Sequence, residues 1–85
     1  MGVATHLRNR VYANEIVFWE DVARKSPANP RAFNNLGYAY ALASRNDAAE
    51  GAFRRALELD PELWRAGVNL RLLREHALTN APRTP

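Results

Sequence analysis

Cysteine is absent from this 85-residue chain. Its absence excludes a disulfide framework and thiolate metal sites, and leaves reducing and oxidising compartments equally open. Lysine occurs once, as Lys25, and every other basic residue is an arginine. Long apolar runs are lacking too. The longest stretch without a strongly polar residue is Leu36 to Ala43, eight residues, where a bilayer span needs about 20. No direct membrane insertion is expected. An acylation signal after Met1-Gly2 would require Ser or Thr where His6 stands. The two histidines, His6 and His76, have neither a cysteine nor an ordered acidic pair beside them, so no metal site and no cofactor is expected. A nucleophile motif is missing as well, because Ser26 and Ser44 fall in turns. Gly37, Gly51 and Gly67 fall inside helical patterns rather than in a phosphate loop. The chain does not read as an enzyme.

Charge of one sign is scarce. Twelve basic residues against nine acidic ones give a net charge of +3, spread along the chain. Arg54, Arg55, Arg65, Arg71 and Arg74 have Glu58 and Glu75 on neighbouring turns. They read as solvated helix faces, and no nucleic-acid partner is expected. What remains is 47% hydrophobic and 25% charged, the composition of one small globular domain.

That domain repeats itself. At an offset of 34 residues Ser26-Pro27 falls on Asp60-Pro61, Arg31-Ala32 on Arg65-Ala66, Asn35-Leu36 on Asn69-Leu70, and Trp19 on Phe53. A period in the range of roughly 20–50 residues marks stacked supersecondary units. Within the unit, Phe33, Leu36, Gly37 and Tyr40 sit at i, i+3, i+4 and i+7, one face of an α-helix. Ala49, Phe53 and Ala56 mark a second helix in the same way. Asn29 before Pro30 is a helix-start signal. Asp47 with Glu50 three residues later resembles a capping box for the second helix. The short Ser44-Arg45-Asn46 link leaves room only for an antiparallel turn. The fold class is therefore all-α. Four helices are predicted, over about 10–25, 30–43, 47–59 and 63–78, within a domain spanning 10–78. Residues 1–9 are expected to be a flexible N-terminus and 79–85 a disordered tail.

The residues Phe33, Leu36-Gly37, Tyr40, Ala49, Phe53, Ala56 and Pro61 resemble the tetratricopeptide repeat pattern, with a full repeat over 30–63. The resemblance implies antiparallel helical hairpins of the α-solenoid type: half a repeat, a whole repeat and a capping helix. It also implies a protein–protein interaction module. Gly37 and Ala49 are expected to let the helices approach, with Phe33, Tyr40 and Phe53 filling the space around them. The flanking helices depart from the pattern. Upstream, Glu15 stands where alanine is usual. Downstream, Gly67 replaces the aromatic, with Trp64 one turn earlier as its expected cover. Arg71 and Arg74 replace the glycine and the tyrosine, which suits a capping helix facing water.

By the same resemblance the first helix of each hairpin lines a concave face. Here that face holds Arg31, Asn34, Asn35, Tyr38, Leu42, Arg65, Asn69 and Leu72. Amides to a peptide backbone and arginine to a carboxylate give such a groove the means to hold a protein or peptide. Asn35 and Arg65 fall in the slots of the family's carboxylate clamp, but Asn69 replaces a basic residue, so a chaperone-tail binder is not expected. The upstream helix is apolar on more than one side. Tyr12, Ile16, Phe18 and Trp19 mark a candidate self-association surface, and a homodimer is the corresponding expectation. A further resemblance lies in Arg8-Asn9-Arg10, Glu15, Trp19 and Lys25-Ser26-Pro27 running into Asn35-Leu36-Gly37. These residues resemble the junction where O-mannosyltransferase-like membrane proteins pass into their C-terminal tetratricopeptide arrays. That likeness implies a soluble accessory tail, extracytoplasmic rather than cytoplasmic. Three readings thus stand side by side: a groove that binds peptide, an accessory tail, and a homodimeric structural unit without external ligand.

Overall fold

The structure, a computed structural model, describes the backbone of residues 2–80 and the side chains of residues 10–75. Four helices follow one another: α1 (Gly2–Lys25), α2 (Pro30–Leu42), α3 (Asn46–Leu59) and α4 (Trp64–Asn80). Each packs on the next, and α4 also reaches back to α2. This is the expected all-α stack of antiparallel hairpins. α1 begins at Gly2, earlier than the expected start near residue 10, and α4 runs to Asn80. The tail expected beyond it lies, from residue 81 on, outside the described residues.

The 34-residue period reappears in the backbone. The Asn29 amide donates to the Ser26 carbonyl at 3.0 Å, and one period later the Leu63 amide donates to the Asp60 carbonyl at 3.0 Å. Pro27 and Pro61 sit in these turns, where a fixed φ favours the reversal. Asn29 then caps α2, its Oδ1 accepting from the Arg31 amide at 3.0 Å, with Pro30 at the first helical position. Leu63, its counterpart before α4, has no polar side-chain atom to do the same. Replacing Asn29 by alanine is expected to cost about 1 kcal/mol, read from the midpoint of urea unfolding. An unchanged midpoint would remove the cap from this account.

The link between α2 and α3 departs from the sequence reading. Ser44 has a φ of 64°. Its amide donates to the Ala41 carbonyl at 3.0 Å, and the Arg45 amide to the Tyr40 carbonyl at 2.9 Å. These are the two bonds of a left-handed helix cap. The chain turns so sharply there that Arg45 becomes the N-cap of α3, without any side-chain capping bond. The capping box expected from Asp47 and Glu50 is therefore not made. Asp47 sits inside the first turn, where its charge still suits the helix dipole. Glu50 instead pairs with Arg54 at 2.7 Å and Arg74 at 3.4 Å.

The core is built mostly of alanines. Ala23, Ala32, Leu36 and Ala52 join α1, α2 and α3, while Ile16, Ala39 and Ala43 join α1 to α2. Ala49, Phe53, Leu70 and Leu73 join α3 to α4. Small side chains bring helix backbones close, so each larger residue must find a matching gap. Phe53 is the largest fully buried side chain, and its gap is Gly37: a Cβ added there would stand 2.6 Å from the Phe53 ring. Tyr40 packs against all three clusters. Its hydroxyl donates to Glu20 Oε2 at 2.5 Å, and the Arg45 guanidinium lies 4.8 Å from its ring centre. Burial first, and then the bond to the Glu20 carboxylate, push the Tyr40 hydroxyl up to about 12.

The cover expected for Gly67 is absent. Trp64 is 68% exposed, and nothing lies within 4 Å of a Cβ built on Gly67. The indole turns the other way, with the Arg65 guanidinium 5.5 Å from its ring centre.

Candidate functional site

Helix geometry decides which polar side chains share a face. Arg31, Asn34, Asn35, Tyr38 and Leu42 recur on one side of α2, and Arg65, Asn69 and Leu72 on one side of α4. Because α4 packs back onto α2, the two sets border one surface. At its upper end a cleft of about 390 Å³ opens between the start of α2 and the start of α4, lined by Arg31, Asn34, Asn35, Leu63, Trp64 and Arg65. Four of these six belong to the expected groove. Leu63 and Trp64 do not, because Trp64 reads in the sequence as the cover of Gly67. An aromatic beside two arginine slots was the available signal for it.

The remaining groove residues divide by role. Asn69 Nδ2 donates to Asn34 Oδ1 at 3.0 Å, and Asn34 is 9% exposed. This pair ties α4 to α2 and forms part of the floor. Tyr38 and Leu72, each 55% exposed, continue the face beyond the cleft, and Leu42 is half-buried. Arg31 and Arg65 form no ion pair among the described residues. Both stand in the first turn of their helices, so two guanidinium groups and two positive helix ends converge on one opening. The chemistry on offer is anion and amide recognition with an apolar margin.

The candidate self-association residues do not form one surface. Ile16 is buried against Ala39 and Ala43, and Tyr12 and Trp19 pack on clusters of the same core. Only Phe18 is open, 57% exposed, with its ring edge-on to Trp19 at 4.9 Å. The sequence reading placed Ile16 outside because α1 is apolar on two sides; packing on α2 takes one of them. Val11 and Val17 join Phe18 as exposed apolar residues of α1. Among the described residues no group of three metal-ligating side chains occurs, and no helix is long and apolar enough to cross a membrane.

Stacked antiparallel helix pairs, with a polar cleft between the first helices of successive pairs, define a helical-repeat scaffold. Residues 30–63 match the family model described as the tetratricopeptide repeat, with the same bounds that the sequence pattern indicates. Neither a curated protein nor a solved structure matches the chain. Of the residues that carry the likeness to a membrane-protein junction, those from Arg8 to Pro27 lie outside the matched segment, and Asn35-Leu36-Gly37 lie inside it as part of the repeat pattern. Tetratricopeptide repeats are in general protein–protein interaction modules, and the matched segment supports that reading of the chain at this general level.

Proposed function

We propose that the cleft between α2 and α4 holds an extended peptide segment that bears a carboxylate. The observation supporting this most directly is the convergence of Arg31 and Arg65, both without an anionic partner among the described residues, on one cleft that Asn35 also lines. A guanidinium binds a carboxylate through paired, charge-assisted hydrogen bonds. The Asn35 amide makes no hydrogen bond among the described residues and suits a peptide backbone, offering both a donor and an acceptor. Trp64, Tyr38 and Leu72 supply exposed apolar surface on which side chains flanking the carboxylate rest.

The double variant Asn35→Ala/Arg65→Ala tests the reading against an array of acidic peptides and their amidated or neutral counterparts. A hydrogen bond to a charged group contributes about 1.5–3 kcal/mol, so affinity for acidic peptides should fall at least roughly tenfold. The helical circular dichroism signal should stay unchanged. Binding that survives the double change, or that prefers neutral peptides, refutes the assignment.

A further inference from the structure

Two helix faces remain uncovered. Among the described residues α1 lies against α2, sharing one core cluster with Ala52 of α3, and the far side of α4 carries no helix. Superposing the repeat on itself shows what would fit each. In the intact hairpin α2 contributes Phe33 and Gly37, and α3 contributes Ala49, Ala52 and Phe53. Phe33 packs against the cluster containing Ala52, and Gly37 abuts the Phe53 ring.

One period away, the corresponding positions on α4 are Gly67 and Arg71, and those on α1 are Glu15, Phe18 and Trp19. One size relation is inverted and one pair of small residues is replaced by opposite charges, while Gly37 against the Phe53 ring becomes Arg71 against Trp19. Where the hairpin packs a large Phe33 against the cluster that contains the small Ala52, α4 offers the open space at Gly67 and α1 the exposed ring of Phe18. Where it sets Gly37 and Ala49 on facing helices, α4 carries Arg71 and α1 carries Glu15. Neither α1 nor α4 suits a partner helix of the ordinary pattern, because Phe18 and Arg71 stand where small residues allow close approach. They suit one another.

We infer that α4 of one copy and α1 of a second copy form a helical hairpin in trans, with Phe18 of one seated over Gly67 of the other and Glu15 paired with Arg71. The Arg71 side chain is 80% exposed and, among the described residues, bonds only its own-helix neighbour Glu75, at 3.3 Å. Glu15 is exposed and makes no bond among the described residues. Both are available without disturbing the core. The contact joins different surfaces, so it is head-to-tail and each added copy leaves a fresh α1 and a fresh α4 open. Assembly therefore grows with concentration beyond a dimer.

Charge reversal tests this with the whole chain by light scattering across a concentration series. E15R and R71E each place like charges at the contact, and each should weaken self-association at least about tenfold while remaining helical. Mixing the two proteins, or combining the changes in one chain, restores opposite charges and should recover the wild-type concentration dependence. A wild-type chain that stays monomeric throughout overturns the inference. So does a dimer that stops growing and ignores R71E, which would place the contact between two α1 helices. Failure of the mixture to recover assembly overturns it as well. None of these outcomes bears on the peptide cleft, which contains neither Glu15 nor Arg71.

Discussion

Gly37→Ala is expected to remove most of the stability of this domain. The added methyl carbon would stand 2.6 Å from two carbons of the Phe53 ring, closer than carbon atoms approach without displacement. Phe53 is 1% exposed and held among Ala49, Leu70 and Leu73, so its ring has nowhere to move. Overpacking of this kind costs about 1–3 kcal/mol. A single core in a chain of this size supplies only ~3–5 kcal/mol. Urea unfolding should therefore show a midpoint shifted far down or lost. The same substitution at Gly51 carries the opposite sign. A Cβ there meets nothing within 4 Å, and exchanging glycine for alanine inside an exposed helix stabilises by roughly 0.5–1 kcal/mol. Opposite shifts from one chemical change isolate packing from helix propensity. A Gly37→Ala variant as stable as the parent would show that α2 and α3 separate without loss.

Tyr40→Ala is the second large effect. Among the described residues the ring is the one side chain packed against all three core clusters, and truncating a large core aromatic costs about 3–5 kcal/mol. Tyr40→Phe keeps the ring and deletes only the bond to Glu20. That bond lies at the surface, so its loss should cost about 1 kcal/mol or less. A phenylalanine variant as unstable as the alanine variant would mean that the hydroxyl, rather than the ring, joins the helices.

The same pair predicts a pH dependence. The folded state holds the Tyr40 hydroxyl protonated up to about 12, above its ordinary value of 10.0. Between these two values the unfolded chain has released the proton and the folded chain has kept it, so stability falls as pH rises. Below about pH 10 this contribution is present in full. It is lost progressively towards pH 12. Wild-type unfolding midpoints should decline across that window more steeply than those of Tyr40→Phe, and parallel declines would detach the effect from this residue.

Much of this molecule was legible in its residues. The spacing of Phe33, Leu36, Gly37 and Tyr40, and of Ala49, Phe53 and Ala56, determined two helices and the face each buries, because a period of 3.6 residues admits few alternatives. The shared Ser/Asp-Pro turns determined where the pairs end, through local φ restrictions that need no distant contact. Asn29 announced its cap for the same reason.

Other features depended on contacts between residues far apart in the sequence. The capping box at Asp47 failed because the left-handed turn at Ser44 moved the start of α3, and serine carries no strong signal for that conformation. Trp64 turned from Gly67 towards the cleft, and Asn69 became a tie to Asn34 rather than a free groove amide, only once α4 packed back on α2. Ile16 and Phe18 look alike in composition, yet packing against Ala39 and Ala43 buries one and leaves the other open. Local periodicity and turn chemistry are properties of neighbouring residues, so the sequence alone determined the hairpins and their order. Which of two apolar sides is covered, and which polar groups find each other, depends on how whole helices meet. Only the tertiary structure decided that.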